Sequence, residues 1–169
     1  MKLTVQRARA IENTPLRNCL LALLAVALAV VPAAASEKSE KTAIMATVNQ
    51  FNDGMNKGDT KTALATCAAL SSIIDEFPPH EWQGATACAD WANDFDTYNK
   101  KNGITDAKAT LGKPRHVDVT GDRAYVVVPA TYTYKQNGKP VTESGSTLTV
   151  ALQKVASGWR MTGWAWAKH

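Results

Sequence analysis

From Thr42 onward the apolar residues Ile44, Val48, Phe51 and Met55 recur at spacings of four and three, which places them on one face of a helix. Gly58 ends that helix. Asp59 then stands in an N-cap position, where its carboxylate accepts a backbone N–H of the next turn, and Ala63, Leu64, Cys67 and Ala68 supply the apolar face of a second helix. Pro78 and Pro79 interrupt the pattern, and a third helix is predicted over 84–101, with Gly84, Cys88, Trp91, Phe95 and Tyr98 on one stripe and Asp90, Asp94 and Lys101 off it. After Gly103 the period falls to two. Residues 124–134 alternate as a long strand, the Asn137-Gly138 pair is a strong hairpin turn, 147–155 return, and 159–167 close the chain after the Ser157-Gly158 turn. A preceding strand over 108–119 pairs through Thr120-Gly121-Asp122, and Pro129 predicts a bulge or bend because proline cannot donate to a ladder. Three N-terminal helices followed by an antiparallel meander make an α+β fold, with the helices packed on one face of a curved sheet.

The first 35 residues read differently. Lys2, Arg7, Arg9 and Arg17 form a basic leader, 13 uncharged residues run from Cys19 to Val31, and Ala33-Ala34-Ala35 follows. That is the layout of a cleaved export signal, and the apolar run is shorter than the ~20 residues a spanning helix needs. The reading assigns 1–35 to a signal peptide, 36–41 to a flexible lead-in and 42–169 to one domain, periplasmic or secreted, with no stable membrane association after cleavage. Cleavage also removes four basic residues and Glu12, leaving 15 basic and 14 acidic side chains in the remaining 134 residues. The basic pI therefore belongs mostly to the leader. No basic patch is left to argue for nucleic acid.

Two cysteines remain, Cys67 and Cys88. In an oxidising compartment an even pair reads as one disulfide, with two buried thiols as the alternative. Each sits on the apolar side of its predicted helix, so the bridge would join the second helix to the third. No metal is expected, because structural zinc takes four ligands and this pair has only one histidine near it. No Gly-rich phosphate loop and no Ser-His-Asp order appears, so no cofactor is expected either.

The order of elements, together with FNDGMNKGD at 51–59, the strand-like 72–75, Gly84 and the Gly158-Trp159-Arg160-Met161 close, resembles the NTF2-like superfamily, which includes ketosteroid isomerase, scytalone dehydratase and SnoaL-type cyclases. The resemblance covers nearly all of 42–169. It implies a cone with a pocket between the helices and the concave sheet face, dimerisation through the outer face, and, in the enzymes, proton transfer or hydrolysis on apolar ring compounds. Small exported bacterial members with no assigned activity look most similar around Asp75-Glu76-Phe77-Pro78-Pro79.

Counting nine residues back from Gly84, the resemblance puts Asp75 where ketosteroid isomerase keeps its base, and an apolar surrounding would raise its basicity. Its partners are missing. Phe51 occupies the position of the hydroxyl donor, and the second acid falls near Ala151 on a strand without carboxylates. A dehydratase would instead draw on His80, Tyr98 or Tyr132, while Trp82 and Trp91 join Phe51 as candidate pocket walls. Trp159 and Met161 alternate with Trp164 and Trp166 after a phase shift at Gly163, so both faces of the last strand can carry indoles. The sequence thus supports a domain that binds a small, largely apolar ligand or acts as an interaction module. An enzyme using Asp75 as base, and a structural homodimer with a filled pocket, are the alternatives.

Overall fold

A computed structural model describes residues 33–169, so the predicted export signal lies almost entirely outside the described residues. Helix α1 (Ala33–Asn56) buries Ile44, Val48 and Phe51, the predicted stripe. Residues 36–41 are not a lead-in but part of this helix. Glu40 explains why, since one carboxylate oxygen accepts from Trp159 Nε1 at 2.8 Å and the other meets Lys154 Nζ at 2.5 Å. At the other end Asn56 pairs with the backbone of Ala109 through both side-chain amide atoms, at 2.8 and 2.9 Å.

The chain turns at Gly58, whose φ is +71°, and Asp59 caps α2 (Thr60–Leu64) by accepting from Thr62 N at 3.1 Å. Gly54 lets the two helices meet, because a Cβ there would lie 2.8 Å from Ala63 N. Helix α2 stops short of the predicted second helix. Cys67 and Ala68 belong instead to strand β1 (Cys67–Ile74), where Ser71 and Ile73 point inward and Leu70, Ser72 and Ile74 outward. The period-two run that ends in two β-branched isoleucines prevails over the short helical spacing. Strand β2 (Glu81–Gly84) folds back on β1 before α3 (Ala87–Lys101), so the three helices are not consecutive: a hairpin separates the second from the third.

Strands β3 (Ile104–Leu111), β4 (His116–Thr120), β5 (Arg123–Gln136), β6 (Lys139–Val155) and β7 (Gly158–Ala167) complete one seven-stranded sheet. Its order is β2-β1-β7-β6-β5-β3, with β4 also on β5, and β1 runs parallel to β7. The sheet is therefore mixed, where an antiparallel one was expected. Gly163 permits the parallel pairing, since a Cβ there would sit 2.7 Å from Ser72 O. Across the sheet the register aligns Trp82, Ile73, Trp164, Val150, Val126 and Val117 in one inward row. The first five are buried and Val117 packs against them, which makes this row the floor on which α1 and α3 rest.

Two further expectations change. The predicted strand over 108–119 is two strands, because Gly112-Lys113-Pro114 breaks it and Pro114 has no N–H to donate. Pro129 keeps its place in the ladder opposite Thr147, and its carbonyl accepts from Gly112 N at 2.8 Å. The irregularity lies one step on, between Ala130 and Tyr132, where β6 carries an extra residue around Ser144 and Gly145. Gly145 has φ +85°, which L side chains rarely adopt. The phase shift predicted at Gly163 is present, as a register change next to Thr162.

Cys67 and Cys88 are bonded, which links β1 to α3 and not two helices to each other. The bridge spans 21 residues and fixes the helix that carries Trp91 to the strand that leads to Asp75. In the chain-entropy treatment a loop of that length stabilises by roughly 3 kcal/mol. The double variant Cys67→Ala/Cys88→Ala should lose about 2–4 kcal/mol in urea denaturation, and reduced wild-type protein should lose a similar amount. An unchanged midpoint would show that the bridge carries no stability.

Candidate functional site

The concave face of the sheet and the two long helices enclose a cavity of about 270 Å³. Its walls follow from the periodicities of the elements. Trp91, Phe95 and Tyr98 lie on one stripe of α3, Phe51 comes from α1, Tyr132 and Tyr134 from β5, and Trp164 and Trp166 from alternate positions of β7. The rings pack on one another: Trp91 stacks on Phe95 at 5.3 Å and meets Trp164 edge-on at 4.7 Å, while Phe51 lies 5.7 Å from Trp91. Such contacts fix ring positions as well as burying area. The cavity is bounded by side chains that brace each other.

Asp75 follows directly on β1 and is held from three sides. Its backbone N–H donates to His80 O at 3.1 Å, Oδ1 accepts from Glu76 N at 2.7 Å, and Oδ2 accepts from Trp91 Nε1 at 2.9 Å. Burial among the aromatic rings pushes its carboxyl up to about 6, against the opposing pull of the Trp91 and Glu76 hydrogen bonds. At neutral pH it is mostly ionised, and its affinity for a proton is well above that of a surface aspartate. That is the protonation behaviour of a general base.

A second polar group lines the same cavity. Glu143 Oε1 accepts from Tyr134 Oη at 2.9 Å and from Lys168 Nζ at 2.7 Å, and Lys168 also lies 3.4 Å from Glu76. Three polar atoms of residues around the cavity, Tyr132 Oη, Glu143 Oε2 and Trp164 Nε1, are fully buried with no protein partner. Burial raises the Tyr132 phenol above its ordinary range, so it stays protonated and able to donate.

The cavity brings together Asp75, Phe51, Trp91, Tyr98 and Tyr132 of the predicted set. Two of that set stand apart. Trp82 faces inward but is buried under Phe77, with ring centroids 5.0 Å apart and Nε1 donating to Asp94 Oδ2 at 2.8 Å. His80 is exposed at a φ of +75°, its ring nitrogen 3.2 Å from the Asp75 carbonyl, so it shapes the turn from outside and does not line the cavity. Ala151 is exposed on β6, with no carboxylate beside it. Glu143, nearer the start of β6, is a second carboxylate among the lining residues because the Ser144–Gly145 bulge shifts the phase of the strand: Ser146, Leu148, Val150 and Leu152 point inward, and on the far side of the bulge so does Glu143. The glycine between two serines, in an otherwise alternating strand, was the sequence signal. Among the described residues no group of three or more His, Cys, Asp or Glu side chains could hold a metal ion.

No family model matches the sequence, and no curated protein matches it. Solved structures do. The NTF2-like protein with a cystatin-like fold from Novosphingobium aromaticivorans superposes with a TM-score of 0.66 at 15% identity, covering 80% of this chain and 86% of its own. The fold is NTF2-like. A ketosteroid isomerase-like protein from Erwinia carotovora atroseptica gives 0.61 at 18% identity over 76% and 95% of the two chains. A hexachlorocyclohexane dehydrochlorinase from Novosphingobium barchaimii gives 0.68 at 10% identity over 80% and 90%. Identities this low carry the NTF2-like architecture across and leave the chemistry to the residues of this cavity.

The raised carboxyl of Asp75 has a consequence for stability. Between the unfolded value near 4 and the folded value of about 6, the folded protein holds a proton that the unfolded chain has released. Stability from this group is therefore fully present below about pH 4 and is lost as pH rises to about 6, by on the order of 2 kcal/mol. Carbon-13 NMR of the Asp75 carboxyl should give a midpoint near 6, and Asp75→Asn should flatten this part of the stability profile. A midpoint below about 4.5 would contradict the assigned environment.

Proposed function

We propose that this domain binds a small, largely apolar ligand about the size of one or two fused rings in the cavity between α1, α3 and the sheet. The observation that carries the reading is a cavity of about 270 Å³ walled by aromatic side chains, with the carboxylate of Asp75 among its lining residues. Apolar walls with a few placed polar groups are the usual make-up of a ligand site, and this volume lies at its small end. Space on that scale weighs against a pocket filled by its own side chains. The disulfide supports work in an oxidising compartment outside the cytoplasm. Leu70, Ile74 and Tyr125 lie exposed on the other side of the sheet and support a homodimer through that face.

A second reading, proton abstraction by Asp75, is favoured by one observation. Asp75 stands among the lining residues with its carboxyl held above the ordinary range by burial. Structural neighbours named as a dehydrochlorinase and as ketosteroid isomerase-like fit a base-driven chemistry on an apolar skeleton.

The two readings separate in one set of measurements. Titration with 2-naphthol should quench tryptophan fluorescence saturably, and Ala109→Phe, which puts a ring into the cavity, should abolish the effect while the circular dichroism stays unchanged. Incubation with 2-tetralone in deuterium oxide tests catalysis: exchange at the carbon next to the carbonyl should exceed the buffer rate and fall at least about 100-fold in Asp75→Asn. Binding without exchange would leave a binding protein. Neither binding nor exchange would remove both readings.

A further inference from the structure

Nine of the twelve phenylalanine, tyrosine and tryptophan side chains in the sequence line this one cavity. Burial alone would not require that choice, because leucine, isoleucine and valine remove as much water, yet those three types supply only Leu148 and Ile104. Aromatic rings add what aliphatic walls lack. Their faces are negative, and they attract a cation placed within about 6 Å of the ring centroid.

The charged groups of the lining carry the same sign in excess. Asp75, Glu76 and Glu143 stand against a single cation, Lys168. From residue 36 onward the chain is close to neutral, with 15 basic and 14 acidic side chains, so the excess is local to the cavity. Lys168 is also committed, its Nζ 2.7 Å from Glu143 Oε1 and 3.4 Å from Glu76. Tyr132 registers this field: burial first, and then Tyr134, Asp75, Glu143 and Glu76, push its phenol above the ordinary range.

The kind of cation follows from the oxygens already in use. Each oxygen of Asp75 accepts a hydrogen bond, Glu143 Oε1 takes two, and Glu143 Oε2 is fully buried. A primary ammonium carries three N–H donors that leave water on entry, and the lining offers them few acceptors. Among the described residues the carboxylates do not gather as ligands for a metal ion either. A quaternary ammonium has no N–H to satisfy. Its charge is spread over its methyl groups, and ring faces and carboxylates attract it without a hydrogen bond.

We infer that the ligand of this cavity is a small organic cation, a ring or similar apolar body bearing a methylated quaternary ammonium, enclosed by the aromatic side chains and held by the excess of carboxylate. The inference rests on the ligand-binding reading above and adds the sign of the ligand's charge.

Four one-ring probes of similar size test it on the full chain by calorimetry or NMR titration: phenyltrimethylammonium, its neutral carbon analogue tert-butylbenzene, the anion benzenesulfonate, and benzylammonium. Phenyltrimethylammonium should bind more tightly than tert-butylbenzene, although water solvates it better, and at least about tenfold more tightly than benzenesulfonate and benzylammonium. Lys168→Met removes the positive group of the lining and should tighten phenyltrimethylammonium about threefold, whereas Glu76→Gln should loosen it by about the same factor. Both side chains are partly exposed, so neither change puts the fold at risk. Tert-butylbenzene should shift by less than about twofold in either variant. Any of the other three probes binding as tightly as phenyltrimethylammonium, or a preference unchanged in both variants, would overturn the assigned charge and leave the pocket reading in place. Absence of saturable binding by all four would overturn the pocket reading, and the assignment with it.

Discussion

The parallel pairing of β1 with β7 is the constraint from which the site is built. It needs Gly163, because Ser72 O lies 2.7 Å from where a Cβ would be and a backbone atom cannot swing aside as a flexible side chain could. From this seam β1 delivers three things. Ile73 joins the buried row next to Trp164, Cys67 reaches Cys88 on α3, and Asp75 leaves the strand end facing the aromatic rings. Helix α3 is thereby fixed at its first turn by a covalent bond and, one turn later, by the hydrogen bond from Trp91 to Asp75. The carboxylate and the indole that orients it are therefore parts of one braced unit.

Such bracing matters because the domain keeps a space where its core would otherwise close. A well-packed interior gains dispersion and loses water along its whole extent, and a cavity forgoes both along its lining. The aromatic walls answer this locally, since the lining rings pack on one another, Phe51 and Phe95 against Trp91 and Tyr132 against Trp166. Glu40 with Trp159 and Asn56 with Ala109 tie the two ends of α1 to the sheet, so the helix does not settle into the space beneath it. The disulfide acts on the unfolded chain and adds stability without filling the cavity.

What could be read from the sequence follows from which signals are local. The stripe Ile44-Val48-Phe51, the stripe Cys88-Trp91-Phe95-Tyr98, the long alternation of 124–134 and the Asn137-Gly138 turn are properties of neighbouring residues, and the structure has each of them. Asp75 was also within reach, through the resemblance. The failures are where a distant partner decided the outcome. Cys67 and Ala68 fit the helical face only while β7 is ignored, since it is β7 that draws the segment into the sheet. Trp82 lies in the expected stretch, yet Phe77 folds over it and separates it from the cavity. Glu143 was missed because a single inserted residue changes which parity of a strand faces inward, and strict alternation counted from Leu148 gives the opposite orientation.

Those two strand irregularities, beside Thr162 and at Ser144–Gly145, also explain how a shared architecture comes to hold an individual site. An NTF2-like frame supplies the concave face, the covering helices and a place for Asp75. It does not supply a donor at the helix corner, because Phe51 stands there. Polar side chains of the lining come from the sheet, at Tyr132, Tyr134 and Glu143, as well as from the helices, at Asn52 and Asn99. The shift beside Thr162 lets Trp164 follow Met161 on the inner face, and the Gly145 bulge does the same for Glu143 after Ser146. Each irregularity costs a little ladder regularity and turns one polar-bearing side chain inward.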